Sequence, residues 1–164
     1  MAKIAIIGGG PAGLMAAEVL ATAGVEVSIY ERKQTPGRKF LMAGRGGLNI
    51  THSEDIKTLI SRYGISADFL SALINEFPPA ALRRWCETLG QPTFIGSSGR
   101  VFPTSMKASP LLRAWRSRLD KLGVRFLFQH DWMGWNDEQL VFMTPNGRIQ
   151  VNADATVLAL GGAS

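Results

Sequence analysis

Residues Gly8-Gly9-Gly10-Pro11-Ala12-Gly13 have the types and spacing of a turn that lets a phosphate reach the backbone, and Glu31 follows eighteen residues after the last glycine. Gly8 suits the tight turn. Gly10 carries no side chain to hold a pyrophosphate off the main chain, and Gly13 lets a helix pack close to a sheet. A helix starting at Pro11 and Ala12 would offer free N–H groups and a favourable dipole to phosphates. Pro11 fits that place because an N–H at the first turn has no intrahelical partner. The Glu31 carboxylate can accept hydrogen bonds from ribose hydroxyls. Its charge opposes a 2′-phosphate there, although Arg32 and Lys33 offset part of the repulsion. The chemistry is binding of an adenosine dinucleotide. FAD and NAD both fit, since each contains an adenosine, a ribose and a pyrophosphate.

The elements that must position this turn are legible. Lys3–Ile7 reads as a short buried strand, residues 11–23 as an Ala-rich helix, and residues 25–30 as a second strand delivering Glu31. Strand, glycine turn, helix and strand make the opening βαβ unit of a dinucleotide-binding fold.

A second stretch tilts the choice toward a flavin. Pro36-Gly37-Arg38-Lys39-Phe40 begins a short helical piece that runs into Gly44-Arg45-Gly46-Gly47-Leu48-Asn49. A glycine-rich loop can pass close to a flat ring or a phosphate. Arg38, Lys39 and Arg45 supply cationic donors. A unit that binds NAD alone does not require this segment.

With these stretches the sequence resembles bacterial NAD(P)/FAD-dependent oxidoreductases, in particular aminoacetone-oxidase-like FAD-binding flavoproteins. The resemblance also rests on Gly99-Arg100-Val101-Phe102-Pro103-Thr104 with Lys107, and on Leu158-Ala159-Leu160-Gly161-Gly162. It implies an α/β, Rossmann-like FAD-binding fold of the glutathione-reductase-like three-layer ββα kind. Glu31 would then hold the adenosine ribose, Arg38 and Lys39 would lie near the pyrophosphate, and Arg32 is counted among the cofactor-binding residues. Gly44, Arg45, Gly46 and Asn49 would approach the isoalloxazine ring, and Gly161 and Gly162 would form a second flavin-contact turn. FAD would be the resident cofactor, with NAD(P)H a transient electron donor. Two departures stand out. Relatives commonly read Gly-Gly-Gly-Arg-Cys-Asn where this chain has Leu48 at the cysteine and Gly47 at the arginine, so a thiol role beside a flavin is unavailable here. Leu160 stands where relatives usually place Thr.

Composition bounds the rest. Of 164 residues, 46% are hydrophobic and 19% charged, which supports a real core, alone or with a small appendage. Cys86 is the only cysteine, so an internal disulfide and a multi-cysteine metal or iron–sulfur site are excluded. His52 and His130 lack local company for a metal, and no apolar run approaches the ~20 residues that cross a bilayer. We expect no metal, no membrane span and a cytoplasmic location. The formal net charge is +5, yet the basic residues are scattered. Neither a continuous basic stripe nor an RNA-binding aromatic motif stands out, so a small-molecule substrate is favoured over nucleic acid. His52, His130 and Asp131 are candidate bases by residue type alone.

Downstream, Ser53 is expected to cap a helix with Ile56, Leu59 and Ile60. Ser66 is expected to cap another with an apolar face of Phe69, Leu70, Leu73 and Phe77, read as core together with Trp85. Residues 94–95 and 101–102 read as a hairpin. A helix starting at Ser109-Pro110 runs to Gly123, and residues 124–128 supply the third parallel strand. Short antiparallel strands follow, with a type I′ turn at Asn146-Gly147. Residues 156–160 form a return strand. Residues 1–164 are thus expected to be the N-terminal part of an FAD/NAD(P)-binding domain, with residues 124–160 giving the third strand, meander and return strand. The resemblance implies a substrate domain and a last FAD-contacting strand beyond them. Two other readings fit the residues: an NAD-binding Rossmann protein, and a non-catalytic FAD- or RNA-binding protein.

Overall fold

In the computed structural model, which describes residues 1–162, the apolar run Lys3–Ile7 forms β1 and the small-residue stretch Pro11–Thr22 forms α1. The order continues β2 (Glu26–Glu31), α2 (Arg38–Ala43), β3 (Thr51–His52), α3 (Ile56–Ser61), a 3-10 turn (Gly64–Ser66), α4 (Ala67–Glu76) and α5 (Pro79–Thr88). It ends β4 (Thr93–Ile95), β5 (Arg100–Pro103), α6 (Ala108–Lys121), β6 (Arg125–Phe128), β7 (Asp131–Asn136), β8 (Gln139–Thr144), β9 (Gly147–Val151) and β10 (Ala155–Leu158). The chain folds as two units, one of Met1–Phe40 with Arg116–Ser164 and one of Leu41–Trp115. The second unit is larger than the small appendage that composition allowed for.

The first unit is a Rossmann-like α/β fold. Its parallel sheet has the order β10-β1-β2-β6. Ile7 pairs with Tyr30 of β2 and with Leu158 of β10, so three strand ends meet at one edge. Strand β1 is buried on both faces, as parallel strands are. Ala5 and Ile7 pack with Tyr30, Leu140 and Phe142, which brings the β7-β8-β9 meander onto one face. On the other, a Cβ placed on Gly13 of α1 would lie 3.3 Å from Ile6. Sheet, meander and helix make the expected three layers. Arg118 of α6 ties to Glu18 of α1 at 2.9 Å.

The type I′ turn is corrected. Thr144 pairs with Gly147, so the two loop residues are Pro145 and Asn146, and Gly147 takes φ 106°. The proline ring holds φ near −65°, whereas a type I′ turn requires positive φ at its first central position.

The second unit places β5 between β3 and β4, all antiparallel. The hairpin of β4 and β5 is the expected one, and β3 adds to its free edge. Two expected caps are corrected. Asp55, not Ser53, caps α3, accepting from the N–H groups of Lys57 and Thr58 at 3.1 and 3.0 Å. These bonds, foremost that from the Thr58 hydroxyl, hold its carboxyl below the usual range. Ser66 sits in helical conformation behind the 3-10 turn and makes no side-chain cap. The apolar face of α4 is also not core. Phe69 and Leu73 are 77% and 57% exposed, and Ile65 is fully exposed. Trp85 does pack, edge to face on Trp115 at 4.7 Å.

Burial pushes the Cys86 thiol from 9.0 up to about 11, and it also raises Tyr30 against the opposing pull of Arg125. Both groups keep their proton in the folded chain at a pH where the unfolded chain loses it. Stability therefore falls as pH rises through the interval from 9 to about 11. Thermal melting across that interval checks this, and a midpoint that rises there would contradict it. Cys86 should likewise resist alkylation until the chain unfolds.

Candidate dinucleotide-binding site

The turn between β1 and α1 is built by contacts that only glycine permits. Gly8 has φ 111°, its N–H donates to the Tyr30 carbonyl at 2.8 Å, and a Cβ there would collide with the Ala159 carbonyl of the neighbouring chain segment. A Cβ on Gly13 would collide with the Gly8 carbonyl oxygen. Gly10 is different. Its backbone is ordinary extended chain (φ −79°, ψ 179°), and a Cβ there would meet no atom within 4 Å. The protein itself has no steric need for glycine at this position. Pro11 and Ala12 are exposed at the start of α1, which has no side-chain cap and no acidic residue in its first turn. The helix N-terminus is thus open to an anion.

Glu31 has a second task that the sequence reading missed. Its Oε2 accepts the Gly9 N–H and its Oε1 the Lys33 N–H, each at 2.8 Å. The Gly37 N–H donates to the Gly9 carbonyl at 2.7 Å, so the loop after β2 is pinned to the glycine turn. Each carboxylate oxygen has a further lone pair for a ribose hydroxyl. Replacing Glu31 with Ala removes both acceptors. We expect weaker cofactor retention together with a loss of roughly 1 kcal/mol of stability per broken bond. Cofactor titration and denaturant unfolding check the two effects. Retention equal to the parent's would remove Glu31 from the ligand.

A cleft of about 660 Å³ opens at the carboxyl ends of β1 and β2, lined among others by Gly8, Tyr30, Glu31, His130, Trp132 and Gly161. Open α/β sheets bind ligands at such strand ends. Tyr30 stacks on Phe142 at 4.4 Å, and His130 Nδ1 lies 2.7 Å from the Phe128 carbonyl. The indole N–H of Trp132 is buried with no partner among the described residues. Tyr30 and Trp132 were not singled out from the sequence. Their signal was positional: Tyr30 directly precedes the carboxylate, and Trp132 follows the end of the third parallel strand.

The remaining expected residues divide between the units. Gly162 also lines the cleft, and its carbonyl accepts from Lys39 Nζ at 2.8 Å. Arg32 lines the cleft as well, while Arg38 lies in a neighbouring one. Gly44, Arg45, Gly46 and Asn49 belong to the second unit. There a Cβ on Gly44 would approach Ala108 to 2.5 Å, and Arg45 and Gly46 are exposed. The Asn49 amide donates to the carbonyls of Thr51 and Val101, and Leu48 is buried. His52 also has structural partners. Its Nε2 lies 3.0 Å from the Ser98 carbonyl, and its Nδ1 accepts the Glu54 N–H. Asp131 is exposed, as are Arg100 and Lys107. Among the described residues there is no cluster of metal-ligating side chains, and no helix is long and apolar enough to cross a membrane.

Comparison with known proteins adds kinship to this geometry. A family model described as the HI0933-like protein Rossmann domain matches residues 2–164. A ribosomal RNA dihydrouridine synthase of Haemophilus influenzae is 26% identical over 175 aligned positions, covering 97% of this chain and 40% of that protein. A thiamine thiazole synthase of Methanococcoides burtonii is 40% identical over 63 residues, 38% of this chain and 24% of that one. The chain thus spans two fifths or less of the length of these relatives. The crystal structure of a 3-ketosteroid-Δ4-(5α)-dehydrogenase from Rhodococcus jostii RHA1 superposes with a TM-score of 0.70 at 17% identity, covering 98% of this chain and 46% of that one. At that identity the likeness is one of fold.

Proposed function

Because this chain belongs to the HI0933-like Rossmann-domain family, we propose that it binds FAD and works as an FAD-dependent oxidoreductase. The observation that carries the reading is the open space over Gly10, set at an uncapped helix N-terminus. The pyrophosphate belongs there, with the ribose on Glu31. Tyr30 and Trp132 would wall the cleft for the adenine. Bound flavin supplies hydride or electron exchange, with NAD(P)H as the transient donor. The chain's own work is to orient the cofactor by backbone N–H groups, the Glu31 carboxylate and the Lys39–Gly162 contact. Closer kinship with the aminoacetone-oxidase-like flavoproteins is part of this proposal, supported by the stretches 37–39 and 44–51.

For the substrate we favour a uracil base in RNA. The support is the dihydrouridine synthase of Haemophilus influenzae, a relative aligned over 97% of this chain. The test is incubation of the purified protein with NAD(P)H and ribosomal RNA, followed by nucleoside mass spectrometry. We expect dihydrouridine to appear. Unchanged uridine in a protein that carries flavin would overturn the RNA reading and leave the flavoprotein reading in place.

A further inference from the structure

Beside the dinucleotide cleft lies a second, open cleft of about 680 Å³. It is lined by Arg32, Lys33 and Arg38 with Gln34, Thr35 and Gln129, and Pro145 closes one side. Every one of these residues is exposed, and no carboxylate lines the cleft. Glu31, the adjacent acid, is engaged by the backbone N–H groups of Gly9 and Lys33. The side chains of Arg32, Lys33 and Arg38 make no hydrogen bond or ion pair among the described residues. By contrast, Arg62, Arg118 and Arg125 each hold a carboxylate. The wall is fixed where the Gln129 N–H donates to the Lys33 carbonyl at 3.2 Å, with Gln129 held in the left-handed region at φ 57°. Two guanidinium forks and an ammonium with amide and hydroxyl neighbours are the donor set that phosphate oxygens require.

We propose that this cleft holds the phosphodiester backbone of an RNA strand next to the cofactor. The proposal rests on the RNA reading above and adds the surface that carries the strand. An open cleft lined by exposed cations suits a strand passing over it, and the chain's net charge of +5 favours a polyanion. Arg32 lines both clefts, so the strand would run beside the nucleotide site. The three cations are close in sequence, within residues 32–38, and the fold adds Gln129, which follows β6 more than ninety residues after Lys33.

The experiment is fluorescence anisotropy of a labelled single-stranded RNA against salt concentration, for the parent and two charge reversals. Lys33→Glu removes one phosphate contact while keeping the backbone N–H that Glu31 accepts. Affinity should fall several-fold, and the slope of log K against log salt should shrink by about 0.7. Arg148→Glu makes the same charge change on β9, outside this cleft, and should keep the parent's slope. A parental slope in Lys33→Glu, or an equal loss in both variants, would overturn the proposal. So would competition by inorganic phosphate that chloride at equal ionic strength does not reproduce, because the cleft would then select a free anion. Flavin content measured in the same preparations separates the outcomes. Retained flavin with an unchanged slope removes only the RNA cleft, whereas absent flavin removes the cofactor reading.

Discussion

Gly10→Val is expected to fold as the parent does and to lose the cofactor. Its backbone torsions are open to any L-residue, and the added side chain meets no protein atom. It would occupy instead the space proposed for the pyrophosphate, over a helix start whose N–H groups are the proposed donors to the ligand. Excluding the phosphates should weaken FAD by about a hundredfold or more, equivalent to about 3 kcal/mol. The thermal midpoint of the cofactor-free protein should stay at the parent's value. Two measurements check this: flavin content per protein, and melting of both proteins after the cofactor is stripped. Undiminished flavin would move the phosphate elsewhere. A lowered midpoint in the stripped state would mean that Gly10 serves the fold.

Gly13→Ala should do the reverse. Its Cβ would run into the Gly8 carbonyl oxygen, a backbone atom in the turn that joins β1 to α1. Neither partner is the end of a flexible side chain. The helix must therefore lift from the sheet, opening the packing around Ile6 and Leu14, which are 0% and 1% exposed. Overpacking of this kind costs about 3 kcal/mol at the upper end of its usual range. Denaturant unfolding of the stripped protein measures it directly. A loss well below about 1 kcal/mol would show that the turn yields. Taken together, the two variants separate the glycine that serves the ligand from the glycine that serves the fold.

That distinction was only half legible in the sequence. The motif names three glycines with three tasks, and the strand–turn–helix–strand order follows from a short apolar run, a breaker and small residues. Those are local signals, and β1, α1 and β2 obey them. Glu31 shows where local reading stops. Its spacing gives a ribose acceptor, but its bonds to Gly9 and Lys33 depend on the return of the chain beside the turn. Tertiary pairing likewise decided the caps and faces of the second unit. Asp55 outcompeted Ser53 because it sits one residue before α3, where its carboxylate reaches two N–H groups. The four-residue spacing of Phe69 and Leu73 marks an apolar face but not whether anything covers it. The Asn146-Gly147 signal failed because Pro145 precedes it, and a fixed ring torsion overrides the dipeptide's preference.

The central claim is that the cleft at the ends of β1 and β2 belongs to FAD. Its most direct test is to purify the protein, record its visible absorbance, release any bound cofactor by heat and identify it by chromatography. We predict a yellow protein with a flavin spectrum that releases FAD. A colourless, folded protein that cannot be reconstituted with FAD but binds NAD would contradict the account and make the chain an NAD-binding Rossmann protein.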